Sequence, residues 1–297
     1  MAPPVVFDRR LVRARLQRAL RQGYADFLLG RAVADLDERL APVLRRFVLA
    51  LDLGTPTAAA ARALRASARA EAVVRMAPLP ERGDAGPALI GDEEALPFAP
   101  ASFDLVVSLL ALQAVNDLPG SLVQIRRALR PDGLFVGCLL GGASLAELRH
   151  AFAAAESALE GGASPRVAPL ADLRDLGALL QRAGFALPVT DVEPVTVRYA
   201  DAFGLMRDLR AMGMTNALVE RRRAPLRRAT LARAAEIYRE RFADKDGRVR
   251  ASFELVWLSG WGPHESQQKP LAPGSARTRL ADALGVAEHP AGDRARP

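Results

Sequence analysis

The chain has 297 residues, half of them hydrophobic and a quarter charged, with one cysteine and a net charge of +7. This length can bury the core of one large α/β domain or two small ones. The single cysteine excludes an internal disulfide and a cysteine-based zinc site, and without a long apolar run or a signal-peptide pattern we expect a cytoplasmic protein.

The first predicted elements are helical. Leucines recur at helical spacing through residues 7–46, which predicts an N-terminal helical layer over residues 1–46. The apolar run at 47–54 then predicts a strand that stops at a glycine. An alanine-rich helix follows to about residue 70.

The middle of the chain alternates strands and helices. Apolar runs predict strands at 72–77, 87–92, 103–112 and 134–140, and a helix at 119–129 is closed by RPDG, a turn signal. Apolar strands separated by helices are typical of a parallel sheet buried on both faces. The sequence therefore predicts a doubly wound α/β domain.

The last third adds helices and two long strands. Helices are predicted at 144–159 and 172–182, a strand at 185–199, a helical segment at 201–242 and the last strand at 249–261. The remainder, 263–297, is a polar tail rich in Pro, Gly and Ser. Since no linker interrupts residues 47–262, we predict one α/β domain that includes the 201–242 segment.

The positive charge is spread along the chain. Of its 41 basic residues only Lys245 and Lys269 are lysines, and aromatic residues make up only 5% of the chain. Scattered arginine of this kind is typical of a solvated surface. We therefore expect no nucleic-acid partner and at most a peripheral contact with an anionic membrane.

Four ordered motifs resemble those of class I S-adenosylmethionine-dependent methyltransferases: ALDLG (50–54), DEEALPF (92–98), SFDLVVS (102–108) and LRPDGLF (129–135). The resemblance implies a Rossmann-like, seven-stranded, doubly wound sheet whose seventh strand is antiparallel. It also implies N-terminal helices and a helical insertion, 201–242, before the last strand.

Later segments narrow the resemblance. VNDLPGSLVQIRRALRPDGLF, MRDLRAMGMTNAL and LSGWGPHESQQKP are similar to bacterial relatives of respiratory complex I assembly factor 5, and malonyl carrier-protein methyltransferases of biotin synthesis are next nearest. The best-known assembly-factor member is associated with arginine hydroxylation of a complex I subunit. The resemblance thus implies a protein substrate or a complex I subunit as partner, but it assigns no catalytic residue, and we predict no metal site.

The resemblance also implies an S-adenosyl-L-methionine site. Gly54 would let the loop after the first strand approach the cofactor, and Asp92 with Glu93 would meet the adenine edge. A strand-to-helix turn and a solvated acidic run are the plainer interpretations of these residues. The full predicted set is Asp52, Gly54, Asp92, Glu93, Leu112 and Gln113.

Several positions depart from the family pattern. Pro56 and Ala58 replace glycines of the cofactor loop, and Gln113 with Ala114 replaces a His-Trp pair. No acid follows the second strand where the family binds ribose, and the next one along is Glu81. Two hypotheses follow: a methyltransferase-like protein with a degenerate cofactor site, or a non-catalytic assembly protein on the same scaffold.

Overall fold

The computed structural model describes residues 5–80, 86–268, 275 and 278–287. Contacts within the chain separate a large unit, residues 1–263, from a small one, residues 264–297. The large unit contains seven strands: β1 Phe47–Leu53, β2 Ala70–Ala77, β3 Ala88–Ile90, β4 Phe103–Leu109, β5 Leu129–Leu140, β6 Ala186–Tyr199 and β7 Val249–Trp261.

Eight helices of the large unit flank these strands in the described part of the chain. They are α1 Arg9–Gln22, α2 Phe27–Leu40, α3 Ala59–Ala66, α4 Leu118–Ala128, α5 Ala146–Glu160, α6 Leu173–Arg182, α7 Ala202–Ala211 and α8 Arg228–Phe242. A 3₁₀ turn covers Leu112–Ala114. The small unit contains α9, Leu280–Leu284. None of the helices within the described ranges combines the length and the apolar character needed to cross a bilayer.

The strands form one sheet in the order β3-β2-β1-β4-β5-β7-β6. Strands β1 to β5 pair in parallel, whereas β7 is antiparallel to both β5 and β6. The Rossmann-like sheet with an antiparallel seventh strand is therefore confirmed.

Hydrophobic cores cover both faces of the sheet, as the alternation of side chains along β7 shows. Phe253, Leu255 and Trp257 face one core, which also contains buried residues of α2, α5, α7 and α8. Val256 and Leu258 face the other, which contains residues of α4 and α6. Because successive side chains of a strand point to opposite faces, a strand buried on both sides is apolar at nearly every position.

One segment is less helical than the sequence predicts. The insertion 201–242 is helical only in α7 and α8, because Gly213 stops α7, whose last helical residue is Ala211. That glycine has φ +73, and its N–H donates to the carbonyl of Arg210, a common glycine helix end. The N-terminal layer consists of the predicted helices, α1 and α2, and Gly23 between them has φ +97.

RPDG forms a bulge within a strand rather than a turn between elements. Leu129 pairs with Phe103 and Leu134 pairs with Leu105, so four residues of β5 stand opposite one residue of β4. Asp132, inside the bulge, has φ +59. The extra residues shift the register and let β5 continue beside β4.

The segment before α1 is held at the carboxyl edge of the parallel strands. The side-chain oxygen of Asn116 accepts hydrogen bonds from the backbone N–H groups of Val6 and Phe7, at 2.8 and 2.7 Å. The Asp8 N–H donates to the carbonyl of Ala217 at 2.9 Å. These bonds place the first turn of α1 beside the loops that follow β3 and β4.

Candidate functional site

The predicted cofactor residues meet where the direction of strand order reverses. Strand β1 pairs in parallel with β2 on one side and with β4 on the other. Ligands of doubly wound sheets bind at this switch point, beyond the carboxyl ends of the strands. Gly54 follows β1, Ala77 ends β2, and Glu93 follows β3.

Gly54 occupies a position that requires glycine. Its φ is +72, and its N–H donates to the carbonyl of Met76 at 2.7 Å. A Cβ added there would lie 2.8 Å from Cγ of Glu93 and 3.0 Å from Cβ of Ala111. The open side of this glycine is therefore covered by the chain's own Glu93.

Asp52 is fully buried and forms an ion pair with Arg75. The two residues are Cα partners in neighbouring strands, and Oδ2 of Asp52 lies 2.8 Å from Nη1 of Arg75. Nη2 of Arg75 donates to the carbonyl of Thr55 at 2.7 Å. Burial raises the pKa of the Asp52 carboxyl, against the opposing effect of the Arg75 charge. The predicted site residue thus joins β1, β2 and the loop after β1.

The loop after β1 packs into the protein at the positions that depart from the family pattern. Ala58 is fully buried and Pro56 is half-buried. Thr55 is also fully buried, and its Oγ1 accepts a hydrogen bond from the N–H of Leu109 at 3.3 Å. The loop keeps its place between β1 and β4, with a methyl group where the family has a glycine.

Asp92 and Glu93 form an ion-pair cluster with Arg9 and Arg13 of α1. Nη2 of Arg9 lies 3.0 Å from Oδ1 of Asp92 and also contacts Oε2 of Glu93, while Nη2 of Arg13 contacts Oδ2 of Asp92. Nη1 of Arg9 donates to the carbonyl of Ala114 at 2.9 Å. The side chains of Arg9 and Glu93 are 15% and 4% exposed. We call these four residues the Arg9 cluster.

The pKa values of the two acids of the Arg9 cluster are shifted in opposite directions. Burial raises the pKa of Glu93, and the charge of Arg9 offsets only part of that effect. For Asp92, burial also acts upward, but the hydrogen bond from the Glu94 N–H and the charges of Arg9 and Arg13 hold its pKa below the ordinary value.

The two remaining predicted residues, Leu112 and Gln113, contact the core and their own loop. Leu112 is buried in the core that faces α4 and α6. Nε2 of Gln113 donates to the carbonyl of Leu110 at 2.8 Å, so this amide binds its own loop. Sequence reasoning missed Arg9, Arg13 and Arg75. An arginine inside a strand, and two arginines four residues apart at the start of a helix, were the available signals.

The positions where the family binds the ribose, loop side and adenine edge of S-adenosylmethionine are altered or occupied in this protein. The end of β2 presents Ala77, which has no carboxylate for the ribose, and Glu81 lies outside the described residues. Glu93 covers Gly54, and Asp92 is engaged by Arg9 and Arg13. In this arrangement the residues do not fit the cofactor.

The raised pKa of Glu93 predicts a pH-dependent contribution to stability. The folded protein holds a proton on Glu93 at pH values where the unfolded chain has released it, so this contribution is lost as pH rises through the folded-state pKa. Glu93→Gln removes the titration. Its free energy of unfolding relative to the parent should therefore increase from acidic to neutral pH.

Urea unfolding at a series of pH values measures this difference. The exposed Glu71 offers the matched control, because Glu71→Gln makes the same chemical change at a side chain outside the Arg9 cluster. A Glu93→Gln difference that is flat, or that decreases as pH rises, would contradict the effect of burial on Glu93.

Comparisons with known proteins agree with the fold described above. The family described as "Methyltransferase domain" matches residues 30–137. The chain is similar to the arginine-hydroxylase NDUFAF5, mitochondrial, of Danio rerio, with 39% identity over 93% of this chain and 89% of the relative. It is also 37% identical to the malonyl-[acyl-carrier protein] O-methyltransferase of Halorhodospira halophila, over 91% of this chain and 93% of the relative.

A solved structure of a protein from Bacillus halodurans shares the fold. Its TM-score is 0.54 at 16% identity, with 78% of this chain and 99% of that chain covered. The sheet order, the antiparallel β7 and the extent of the sequence matches agree with one another. The chain therefore belongs to the class I S-adenosylmethionine-dependent methyltransferase superfamily, in the part that contains the arginine-hydroxylase NDUFAF5 proteins and the malonyl-[acyl-carrier protein] O-methyltransferases.

Proposed function

We propose that this protein acts in the assembly or modification of respiratory complex I, and that it recognises a protein partner on a methyltransferase scaffold with a degenerate S-adenosylmethionine site. The partner is a complex I subunit or another protein substrate. Support comes from the 39% identity to NDUFAF5 proteins over nearly the whole chain. We place the protein in the cytoplasm, with at most a peripheral contact with the membrane.

The observation that carries the proposal is the position of Glu93. Its side chain covers Gly54 and forms an ion pair with Arg9, where a methyltransferase of this fold would accept its cofactor. If Glu93 moved away from Gly54, the ion pair between Glu93 and Arg9 would break. Breaking a buried ion pair is energetically costly. The absence of the ribose-binding acid at the end of β2 also disfavours cofactor binding.

A second candidate function is methyl transfer from S-adenosylmethionine to a protein. Gly54 keeps the left-handed conformation of a cofactor loop, and Asp92 keeps its place after β3. The similarity to malonyl-[acyl-carrier protein] O-methyltransferases also favours it. On this alternative, α1 would have to release Asp92 and Glu93 before the cofactor binds.

Direct titration separates the two functions. We expect no heat and no thermal shift when the purified protein meets millimolar S-adenosylmethionine or S-adenosylhomocysteine. A ligand at about 100 times its dissociation constant would stabilise the fold by roughly 2.7 kcal/mol, which a thermal melt resolves. A shift of that size, lost in Asp92→Ala, would establish the second function instead.

A complementation assay tests the role in complex I. In a host strain that lacks the protein, assembled complex I should decrease and should return when the protein is restored. The Asp92→Asn variant, checked for folding, should restore assembly as well as the parent, since the proposed role does not depend on S-adenosylmethionine. Failure of this folded variant alone would favour the enzyme, and no loss of complex I in the strain would refute the proposed role.

A further inference from the structure

A concave site lies at the opposite edge of the sheet from Gly54. Its cavity of about 320 Å³ sits where β5 and β6 begin and β7 ends, beside the end of α2. The volume falls within the range of small-molecule sites, which are concave and mostly apolar with a few polar groups. Neither the cofactor residues nor the Arg9 cluster contribute to it.

The walls of the cavity are mainly aromatic and aliphatic. They are formed by Trp257 and Trp261 of β7, Val136 of β5 and Val43 after α2. Trp257 is 2% exposed, so the floor of the cavity is rigid core. At the mouth, Val189 is 58% exposed, an apolar side chain that a bound ligand would cover.

Arg39, Asp191 and Ser259 are the polar residues that line the cavity, and the first two form an ion pair. Nη2 of Arg39 lies 2.6 Å from Oδ2 of Asp191, and the guanidinium carbon lies 4.4 Å from the centre of the Trp257 ring. A guanidinium has five N–H donors in a fork that matches a carboxylate. Arg39 thus lies over the Trp257 ring, and its guanidinium is already paired with the carboxylate of Asp191.

The Arg39–Asp191 pair is poorly explained as a stabilising contact. The side chain of Asp191 is 54% exposed, and exposed ion pairs of this kind contribute little to folding. The other oxygen of Asp191, Oδ1, accepts a hydrogen bond from the backbone N–H of Val192 at 2.8 Å. Rotation of this exposed side chain would exchange both contacts for water and release the guanidinium to another carboxylate. Asp191 therefore resembles an internal stand-in for an anionic ligand group.

We propose that this cavity binds a small hydrophobic monocarboxylate. Its carboxylate replaces Asp191 on the guanidinium of Arg39, and its apolar body contacts Trp261, Val43 and Val189. The site is independent of the proposed role in complex I, since its residues lie at the other edge of the sheet.

Tryptophan fluorescence tests the proposal directly, because the two tryptophans of the chain both line this cavity. The probe is 4-phenylbutyrate, which is transparent where tryptophan is excited. We expect a saturable change in emission, with a matching heat in calorimetry. The neutral 4-phenylbutanol and the cationic 4-phenylbutylamine, which have the same apolar body, should bind at least tenfold more weakly.

Two variants give opposite expected results. Arg39→Met should weaken binding of 4-phenylbutyrate at least tenfold, whereas Asp191→Asn should tighten it several-fold by removing the competing carboxylate. At the mouth, Val189→Phe should reduce binding by partly filling the entrance. The matched control is Val48→Phe, an exposed strand valine that does not line the cavity, and it should bind like the parent.

Three outcomes would overturn the proposal. The first is no binding of 4-phenylbutyrate at millimolar concentration. The second is equal binding of the neutral alcohol, which would reduce the site to an apolar pocket. The third is weaker binding in a folded Asp191→Asn variant, because it would mean that Asp191 supports the site rather than competing for it. Circular dichroism of each variant confirms the fold.

Discussion

Arg75→Met is expected to lower the free energy of unfolding by about 3 to 5 kcal/mol, the usual cost of leaving one charge of a buried pair without its partner. Arg75 is 2% exposed and Asp52 is fully buried, so neither group can recover its hydration in the folded protein. The substitution also removes the hydrogen bond to the carbonyl of Thr55. Urea unfolding, followed by circular dichroism, measures the change.

The double variant Asp52→Leu/Arg75→Met is the control for this pair. Replacing both charges by apolar residues removes the desolvation cost together with the attraction, so most of the lost stability should return. In Arg75→Met alone, burial would act on Asp52 unopposed by that charge, and its pKa should rise further. The single variant should therefore lose more stability at neutral pH than at acidic pH. Equal losses in the single and double variants would show that the two charges do not interact.

Much of the sheet could be predicted because its central strands are largely buried on both faces. The runs at 47–54 and 103–112 are almost wholly apolar, so their period and length leave few alternatives. The antiparallel β7 followed from family resemblance rather than from its own residues. The break at Gly213 and the bulge around Asp132 depend on backbone conformations that apolar periodicity does not report.

The candidate site was predictable only in part, because its main contacts join residues far apart in the chain. Gly54 and Glu93 could each be identified from a motif, but their direct contact depends on the packing of the loop after β3. Arg9 is 84 residues from Glu93, and its pattern within α1 is that of an ordinary solvated helix. The departures at Pro56 and Ala58 indicated a changed loop, without indicating which side chains would cover Gly54.

Arg9→Met is the variant that should change the candidate site most. The substitution leaves the buried Glu93 without its cation and removes the bond from Arg9 to the carbonyl of Ala114. We expect a loss of about 2 to 3 kcal/mol in the free energy of unfolding, as for other hydrogen bonds between charged groups. Since Arg9 lowers the pKa of Glu93, the variant should raise it, and the loss should be smaller at acidic pH.

The exposed neighbour Arg10 provides the matched control, because Arg10→Met makes the same change on the same helix away from the cluster. It should alter stability by no more than about 0.5 kcal/mol. Adding Glu93→Gln to Arg9→Met should recover part of the loss, because the buried carboxylate is then replaced by an amide that carries no charge at any pH. If Arg9→Met and Arg10→Met were equally mild, Arg9 would not hold Glu93 over Gly54. The side of the sheet that accepts the cofactor in methyltransferases would then be open to a ligand at little cost.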